Sequence, residues 1–340
     1  MEWIDDLRKH FFVHKAEDLN IEAAIEIKKD NIPCSLFKYR AVNDYSINNL
    51  LQDTVWCTSA SNFNDPYDSS LCFDLSGDFI NDSFFESMDK ELKKEGEDGI
   101  GNIDKNSILN SADPIESMIR LAAKKTEVPS EMEDQLCNVL KGVIQKNFVE
   151  MNERFNAAAR EGYKICSFSE RLDSMLMWSH YSENHTGFVM EYDFKELPIE
   201  DIRSRCLWPV LYDDELFDAS RFFKEQKDTG SFNNLFGIIS SIHKARDWSY
   251  EHEWRLIIPL GPKDPSMNYN VPEPKAIYLG AKITDKDKTA LVDIARKKQI
   301  EVYQMNLSHN RFEMVPNKID MKIEESHNKS LQRNADASAE

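Results

Sequence analysis

Residues 252–260 read HEWRLIIPL, and this stretch decides how the rest of the chain is interpreted. Its residue types alternate as in a β-strand, where every second side chain lies on the same face of the sheet. Trp254 and Leu256 then belong to an apolar face, whereas Glu253 and Arg255 begin the opposite face with charge. A strand that starts charged and becomes apolar is typical of a core strand with one end at a cleft.

Further strand-like runs lie on both sides of this stretch: LFKYR, TVWCTSA, YKICSF, GFVMEYD, LWPVLYDDE, KAIYLG and, as the last strand, IEVYQMNL. Helical spacing of apolar residues occurs in IEAAIEIKK, SINNLLQD, SMLMWSHY and TDKDKTALVDIARKKQ, with Ser46 and Thr284 as predicted N-caps. Residues 216–247 are predicted to be mainly helical. Strands and helices intermix without regular βαβ alternation, which favours the α+β class.

The chain is predicted to consist of one domain with flanking segments. Residues 1–33 form an N-terminal helical segment, residues 34–323 form the main domain, and residues 324–340 form a polar tail. Within the main domain, residues from about 76 to 160 are highly charged and lack strand patterns. We therefore predict a helical insertion over residues 76–160.

Composition and charge narrow the class of protein. With 340 residues and 41% apolar residues, the chain is long and apolar enough for a globular core. The formal net charge of −18 argues against coating nucleic acid or an anionic membrane through the overall field. No apolar run reaches about 18 residues, and the first residues lack the apolar core of a signal peptide, so we predict a cytoplasmic protein with no membrane partner. The six cysteines are widely spaced, and several that lie inside apolar runs are predicted to be buried free thiols.

Residues 177–187 read MWSHYSENHTG and place several polar and aromatic residues at a predicted helix end. His180 and His185 are separated by roughly 140° around a helix, so they do not share a face as a zinc-binding pair would. Trp178 is interpreted as a core residue. We predict that His180 and Tyr181 face the same cleft as the strand that begins with Glu253.

Two other groups of residues have the types that chemistry requires. Glu251 and Glu253 at the mouth of a strand suit carboxylate catalysis, although a surface Glu–Arg pair is the simpler alternative. Arg40 at the end of a strand suits a bidentate grip on a phosphate or a carboxylate. Neither phosphate-binding glycine motif is present, and no G-x-S-x-G sequence indicates a serine hydrolase.

The residues alone leave two further functions open. The first is a metal-dependent hydrolase or nuclease that uses Asp65, Asp68, His180 and Glu253, although no spacing in the sequence requires a metal. The second is a non-catalytic binding module whose polar residues shape a groove for a ligand or partner.

Three blocks of the sequence together resemble an uncharacterised bacterial domain family with FNDPxD, MWSHYxxxHxG and ExEWR motifs. A second resemblance is to mono-ADP-ribosyltransferases, closest to the toxin branch found in bacterial toxin–antitoxin and phage-defence systems. It implies a split, mainly antiparallel β core flanked by helices. It also implies cleavage of the nicotinamide–ribose bond of NAD, transfer of ADP-ribose to a protein or nucleic-acid acceptor, and an antitoxin protein as partner.

The same resemblance assigns roles to individual residues. Tyr39 and Arg40 occupy the NAD-binding position on the first strand, although many relatives have histidine where this chain has Lys38. Ser59 matches the serine after the second strand. The carboxylates that match the catalytic position are Glu253 and, two residues earlier, Glu251. The resemblance provides no counterpart for His180 and Tyr181, which are predicted, together with Arg255, to line the same NAD cleft.

Overall fold

The computed structural model of the protein describes residues 2–73, 93, 105–125, 128–222, 225 and 230–320. Its helices are α1 (Glu2–Phe11), α2 (Ile21–Asp30), α3 (Asp44–Gln52), α4 (Lys105–Leu109), α5 (Pro114–Lys125), α6 (Ser130–Glu161), α7 (Met175–Tyr181), α8 (Ile202–Cys206), α9 (Phe236–Ser241) and α10 (Asp285–Lys298). Its strands are β1 (Leu36–Arg40), β2 (Thr54–Cys57), β3 (Leu71–Cys72), β4 (Tyr163–Ser169), β5 (Phe188–Tyr192), β6 (Leu207–Pro209), β7 (Leu211–Asp213), β8 (Phe217–Asp218), β9 (His243–Ala245), β10 (Glu253–Pro259), β11 (Met267–Asn270), β12 (Ala276–Leu279), β13 (Glu301–Leu307) and β14 (Met314–Lys318).

The largest sheet of the described chain has eight strands in the order β14-β13-β12-β5-β1-β4-β10-β6. Neighbouring strands are antiparallel, except that β12 and β13 are parallel and are connected through α10. The HEWRLIIPL stretch contains β10, which lies between β4 and β6. The predicted α+β class with a mainly antiparallel core is therefore confirmed.

The large sheet is split between β1 and β4. These strands pair only at Phe37 and Ser169, whereas β1 pairs with β5 along all five of its residues, Leu36–Arg40. Beyond the single pair, β1 diverges from β4, and the end of β2 approaches β4 instead. There the backbone N–H groups and carbonyls of Thr58 and Ile165 form two hydrogen bonds of 3.1 and 2.8 Å. The split predicted for the β core therefore lies beside strands β1, β2 and β4.

The N-terminal helices pack on the part of the sheet that contains β6 and β10. The ring of Phe11 stacks on Trp208 with centroids 4.4 Å apart, and Trp3 stacks near Trp254 at 6.2 Å. Leu7 and Phe11 are fully buried in this contact. Apolar burial of this kind is the main force that holds two elements together. The predicted boundary at residue 33 stays a prediction.

The described part of the predicted insertion is helical. Residues 105–125 and 128–160 contain α4, α5 and most of α6, and no strand is present in these two ranges. Residues 76–92, 94–104 and 126–127 of the predicted insertion, and the predicted tail at 324–340, lie outside the described residues.

Two local predictions are wrong. Helix α3 is capped by the side chain of Asn43, while Ser46 lies three residues inside and completes a capping box. The described residues of 216–247 contain β8 and β9 in addition to helical residues at 220–222, at 225 and in α9, so the prediction that this segment is mainly helical is wrong for 217–218 and 243–245. Short strands of two or three residues lack the alternation that reveals longer ones.

Strands β3, β11 and β14 were also missed in the sequence. Strand β14 follows β13 and forms an edge of the large sheet, although it contains Pro316. Proline cannot donate a ladder hydrogen bond, and it is tolerated at a sheet edge for that reason.

Candidate active site

A cavity of about 220 Å³ lies in the split of the sheet. Its walls come from β1, from the end of β2 and the residues after it, from β4, from α7, and from the residues that enter β9 and β10. The side chains that carry its chemistry are Lys38, Tyr39, Arg40, Trp56, Tyr181, Lys244, Glu251 and Glu253. The point at which β1 leaves β4 therefore creates a polar cleft inside the core.

A buried network of charges forms one wall. The ammonium group of Lys244 donates to Oε2 of Glu251 at 2.6 Å and to Oε2 of Glu253 at 2.8 Å. The guanidinium of Arg255 donates to Oε1 of Glu253 at 2.8 Å, and its two Nη atoms donate to the carboxylate of Asp68 at 2.7 and 2.6 Å. All five residues are at least nine-tenths buried. Each charge is thus paired, as burial of a charge requires.

The network contains three carboxyl groups and two cations, and it separates the pKa values of the two glutamates. Burial, followed by the charge of Glu253, raises the pKa of Glu251. Burial would also raise the pKa of Glu253, but Arg255 and Lys244 outweigh it, and the pKa of Glu253 is lowered. Glu253 is therefore the carboxylate that stays ionised, while Glu251 is the one that most readily takes up a proton. Such opposite shifts in one site mark groups suited to different catalytic roles.

Tyr181 connects helix α7 to this network. Its hydroxyl donates to Oε1 of Glu251 at 2.6 Å. Burial, followed by the charge of Glu251, raises the pKa of Tyr181, so the phenol remains a donor. Met177 and Trp178 of the same helix belong to the core: Trp178 is fully buried and lies edge-to-face with the ring of Tyr39 at 5.3 Å.

A cationic region lies along β1. Lys38 donates to the carbonyl of Ser167 at 2.8 Å, two residues before the Ser169 that pairs with Glu253. Arg40 lines the same cavity and is only partly buried. Within the described residues its guanidinium has no hydrogen-bond or ion-pair partner. A guanidinium that lines a cleft and lacks a partner is suited to bind an anionic ligand.

The second half of MWSHYSENHTG forms the loop that holds the end of β1. Glu183, Asn184 and His185 all have left-handed backbone conformations, with φ of 50°, 54° and 72°. A Cβ atom added to Gly187 would lie 2.1 Å from the carbonyl oxygen of Arg40. Glycine at this position therefore permits the close approach that fixes Arg40 at the cavity.

Five of the predicted site residues come together in the cavity: Tyr39, Arg40, Tyr181, Glu251 and Glu253. The hydroxyl of Tyr39 is already engaged, since it donates to the carbonyl of Arg171 at 2.6 Å. The prediction that Tyr181 faces the cleft of Glu253 is confirmed by this geometry.

The other predicted residues lie elsewhere. His180 is exposed and does not line the cavity, so the prediction that it faces the cleft is wrong. Ser59 is buried and accepts a hydrogen bond of 2.9 Å from Lys164 outside the cavity wall. Arg255 is fully buried and is held by Asp68 and Glu253, so it stabilises these carboxylates from within the core. The alternative of an exposed Glu–Arg pair is also wrong.

Three of the four residues considered for a metal site, Asp65, Asp68 and Glu253, make other contacts, and the fourth, His180, is exposed and does not line the cavity. Asp68 binds Arg255, and Asp65 accepts from the backbone N–H of Tyr67 at 2.8 Å, as expected for a turn before proline. Over the described ranges, no group of three or more His, Cys, Asp or Glu residues is arranged to hold a metal ion.

Sequence reasoning missed Lys244, Lys38 and Trp56 as site residues. Lys244 lies in β9, within the segment that the sequence analysis assigns to helix. No spacing rule links it to Glu251, because the residues between them form a 3₁₀ turn, Arg246–Glu251, instead of one continuous strand or α-helix. In strand β2 the other residues are buried, whereas Trp56 is 44% exposed. Its place in the alternation of that strand is the signal that could have identified it.

Comparison with known proteins gives one match. Residues 177–256 match the family model described as "Protein of unknown function (DUF2971)", a range that contains the MWSHYSENHTG and EHEWR motifs and the residues Tyr181, Lys244, Glu251 and Glu253. No curated protein and no solved structure matches the chain. None of the described helices is long and apolar enough to cross a lipid bilayer.

Proposed function

We propose that the chain is an NAD-dependent ADP-ribosyltransferase-like enzyme whose active site is the cavity in the split sheet. The observation that carries the proposal is the pair Glu251 and Glu253, whose pKa values are shifted in opposite directions in the same cavity as Arg40, a guanidinium with no partner in the part of the chain that the structure describes. Titratable groups with such shifts in a cleft are typical of catalytic sites.

The walls suggest how NAD would be oriented. Arg40 and Lys38 would bind the pyrophosphate, and the half-exposed Trp56 offers a planar surface for a base. The cavity, at about 220 Å³, is smaller than the roughly 300–1,000 Å³ typical of pockets for drug-sized ligands. It would therefore enclose the nicotinamide and its ribose and leave the remaining half of the dinucleotide at the opening.

The two glutamates would divide the chemistry. When the bond between ribose and nicotinamide breaks, its electron pair leaves with nicotinamide and positive charge develops on the ribose. Glu253, held ionised by Lys244 and Arg255, would stabilise that charge. Glu251 would accept the proton of the attacking group of the acceptor, since a carboxylate of raised pKa is the better general base near neutral pH.

The acceptor and the biological role rest on the resemblance alone. The proposed acceptor is a protein or a nucleic acid, and the proposed role is that of a cytoplasmic toxin or phage-defence effector neutralised by an antitoxin protein.

Transfer is tested by incubating the purified protein with NAD labelled in its adenylate part and with a bacterial lysate. The proposal expects label in macromolecules with the wild type and almost none with Glu251→Gln. Glu313→Gln, which changes an exposed carboxylate beside β14, is the matched control and should label as the wild type does. Absence of label with the wild type, or equal label with Glu251→Gln, would count against transfer.

A further inference from the structure

Cys57 and Cys166 lie directly opposite each other on two adjacent strand segments. The next residues, Thr58 and Ile165, exchange both backbone hydrogen bonds as an antiparallel pair. One step along the strands, Cys57 and Cys166 occupy the adjacent non-hydrogen-bonded position. Cα atoms at such a position are about 4.5 Å apart, which is within the range of about 4.4–6.8 Å that a disulfide spans.

The two thiols also share their surroundings. Cys57 and Cys166 belong to the same buried apolar cluster and are hydrogen-bonded to each other. Cys57 is sealed from solvent, whereas Cys166 forms part of the cavity wall close to Lys38 and Arg40. A small reagent that enters the cavity therefore reaches Cys166 first.

The chemistry of Cys166 differs from that of an ordinary buried thiol. Burial opposes its ionisation, but the hydrogen bond with Cys57 and the charge of Lys38 outweigh burial and lower the pKa of Cys166 to about 6. The same pairing raises the pKa of Cys57. Cys166 is accordingly the nucleophile of the pair and Cys57 the thiol that follows it.

We infer that Cys57 and Cys166 form a reversible disulfide site that is oxidised by peroxides entering through the cavity. This inference does not depend on the proposed transferase activity. Cys57 and Cys166 are far apart in sequence, and the inference assigns them to one modification site in the wall of the candidate active site.

The reaction proceeds in two balanced steps. The sulfur of Cys166 attacks one oxygen of hydrogen peroxide, the O–O bond breaks, and hydroxide leaves and is protonated to water, which gives a sulfenic acid. The sulfur of Cys57 then attacks the sulfur of Cys166, the S–O bond breaks, and hydroxide leaves and takes up the proton of Cys57. Two thiols lose two electrons, and peroxide is reduced to two molecules of water.

The test uses the full chain, hydrogen peroxide and a thiol-alkylating reagent. Of the six cysteines, two should lose their reactivity after brief oxidation and denaturing alkylation. Peptide mapping should then find Cys57 joined to Cys166, in a product lighter by two hydrogen atoms and restored by dithiothreitol. The cross-link should raise Tm reversibly, because it constrains the unfolded chain.

Two variants separate the order of events. With Cys57→Ser, a dimedone label should appear on Cys166 without a cross-link, and with Cys166→Ser neither should form. Cys137→Ser removes a buried cysteine of α6 and is the matched control, so the cross-link should persist. Retention of all six thiols by the oxidised wild type, or a cross-link through the exposed Cys34 instead, would overturn the inference without any need for a variant.

Discussion

The ammonium group of Lys244 donates a hydrogen bond of 2.6 Å to Oε2 of Glu251, and both side chains are buried. The same ammonium group binds Glu253 at 2.8 Å, so one cation holds two carboxylates of different pKa beside a cavity. A core ion pair that serves stability alone does not require two carboxylates of different pKa beside a cavity. In the proposed function both glutamates take part in the chemistry, whereas the larger contribution to stability is expected from Glu253, and several expectations depend on that difference.

The first expectation concerns stability. Glu253→Gln should lower the free energy of unfolding by about 3 kcal/mol, because it leaves the buried Arg255 with only Asp68 as an ionised partner. Glu251→Gln should cost less than Glu253→Gln, since burial and the charge of Glu253 already disfavour the ionised form of Glu251 and raise its pKa. Urea unfolding at pH 7 measures both values. The opposite order of the two variants would show that the charges are assigned to the wrong glutamates.

The second expectation concerns pH. Because the pKa of Glu251 is raised, first by burial and then by Glu253, its folded form holds the proton more tightly than its unfolded form. The stability this provides is complete below the ordinary carboxyl value of 4.5 and is lost as pH rises through the raised folded value. The Glu251→Gln variant has no titrating carboxyl group at this position, so it should not show this loss of stability as pH rises.

The difference in unfolding free energy, variant minus wild type, should therefore increase with pH above 4.5, with a slope of at most about 1.4 kcal/mol per pH unit. The loss of stability caused by the lowered pKa of Glu253 occurs on the acid side of 4.5 and lies outside this range. Urea unfolding at several pH values checks this, and a difference that is flat or decreasing would contradict the raised pKa of Glu251.

The third expectation concerns anion binding at Arg40. Pyrophosphate should raise the Tm of the wild type, since it binds the folded state only. Arg40→Ala should weaken this binding by roughly tenfold or more, the equivalent of a charged hydrogen bond of about 1.5–3 kcal/mol. Arg311→Ala, an exposed arginine between β13 and β14, is the control. Equal shifts in Tm for all three proteins would remove Arg40 from the site.

The fourth expectation concerns the glycine that ends MWSHYSENHTG. Gly187→Ala should destabilise the protein by about 3 kcal/mol or more, because the added methyl group meets the backbone carbonyl of Arg40 rather than a mobile side chain. Gly142→Ala, at an open position of α6, should instead stabilise by about 0.5–1 kcal/mol. Thermal or urea unfolding compares the two. A tolerated Gly187→Ala would show that the loop does not fix Arg40.

Much of the fold could be predicted from local patterns. Strand β10 and helix α10 were predicted because their apolar residues recur at the period of one element over seven or more residues. The short strand β9 could not be predicted, since three residues give no period. Lys244 lies in this strand and was missed for the same reason. Its pairing with β7 is a tertiary contact between distant parts of the chain.

The candidate site was predictable to the extent that its residues begin or end recognisable elements. Glu253 begins β10, Arg40 ends β1 and Tyr181 ends α7, and all three line the cavity. His180, the neighbour of Tyr181, was assigned to the cleft because helix orientation cannot be read from a seven-residue element. The pairing of Arg255 with Asp68 spans most of the chain and has no local signal.

The account is tested most directly by nicotinamide release from NAD, measured on purified wild type, Glu251→Gln and Glu313→Gln in the presence of a broad mixture of acceptors. It predicts release by the wild type and the Glu313 control, and a loss of at least about 100-fold with Glu251→Gln, the scale of one general base. Because Glu251→Gln is expected to remain folded, the loss would report on chemistry. No release by the wild type, or equal release by wild type and Glu251→Gln, would contradict the account.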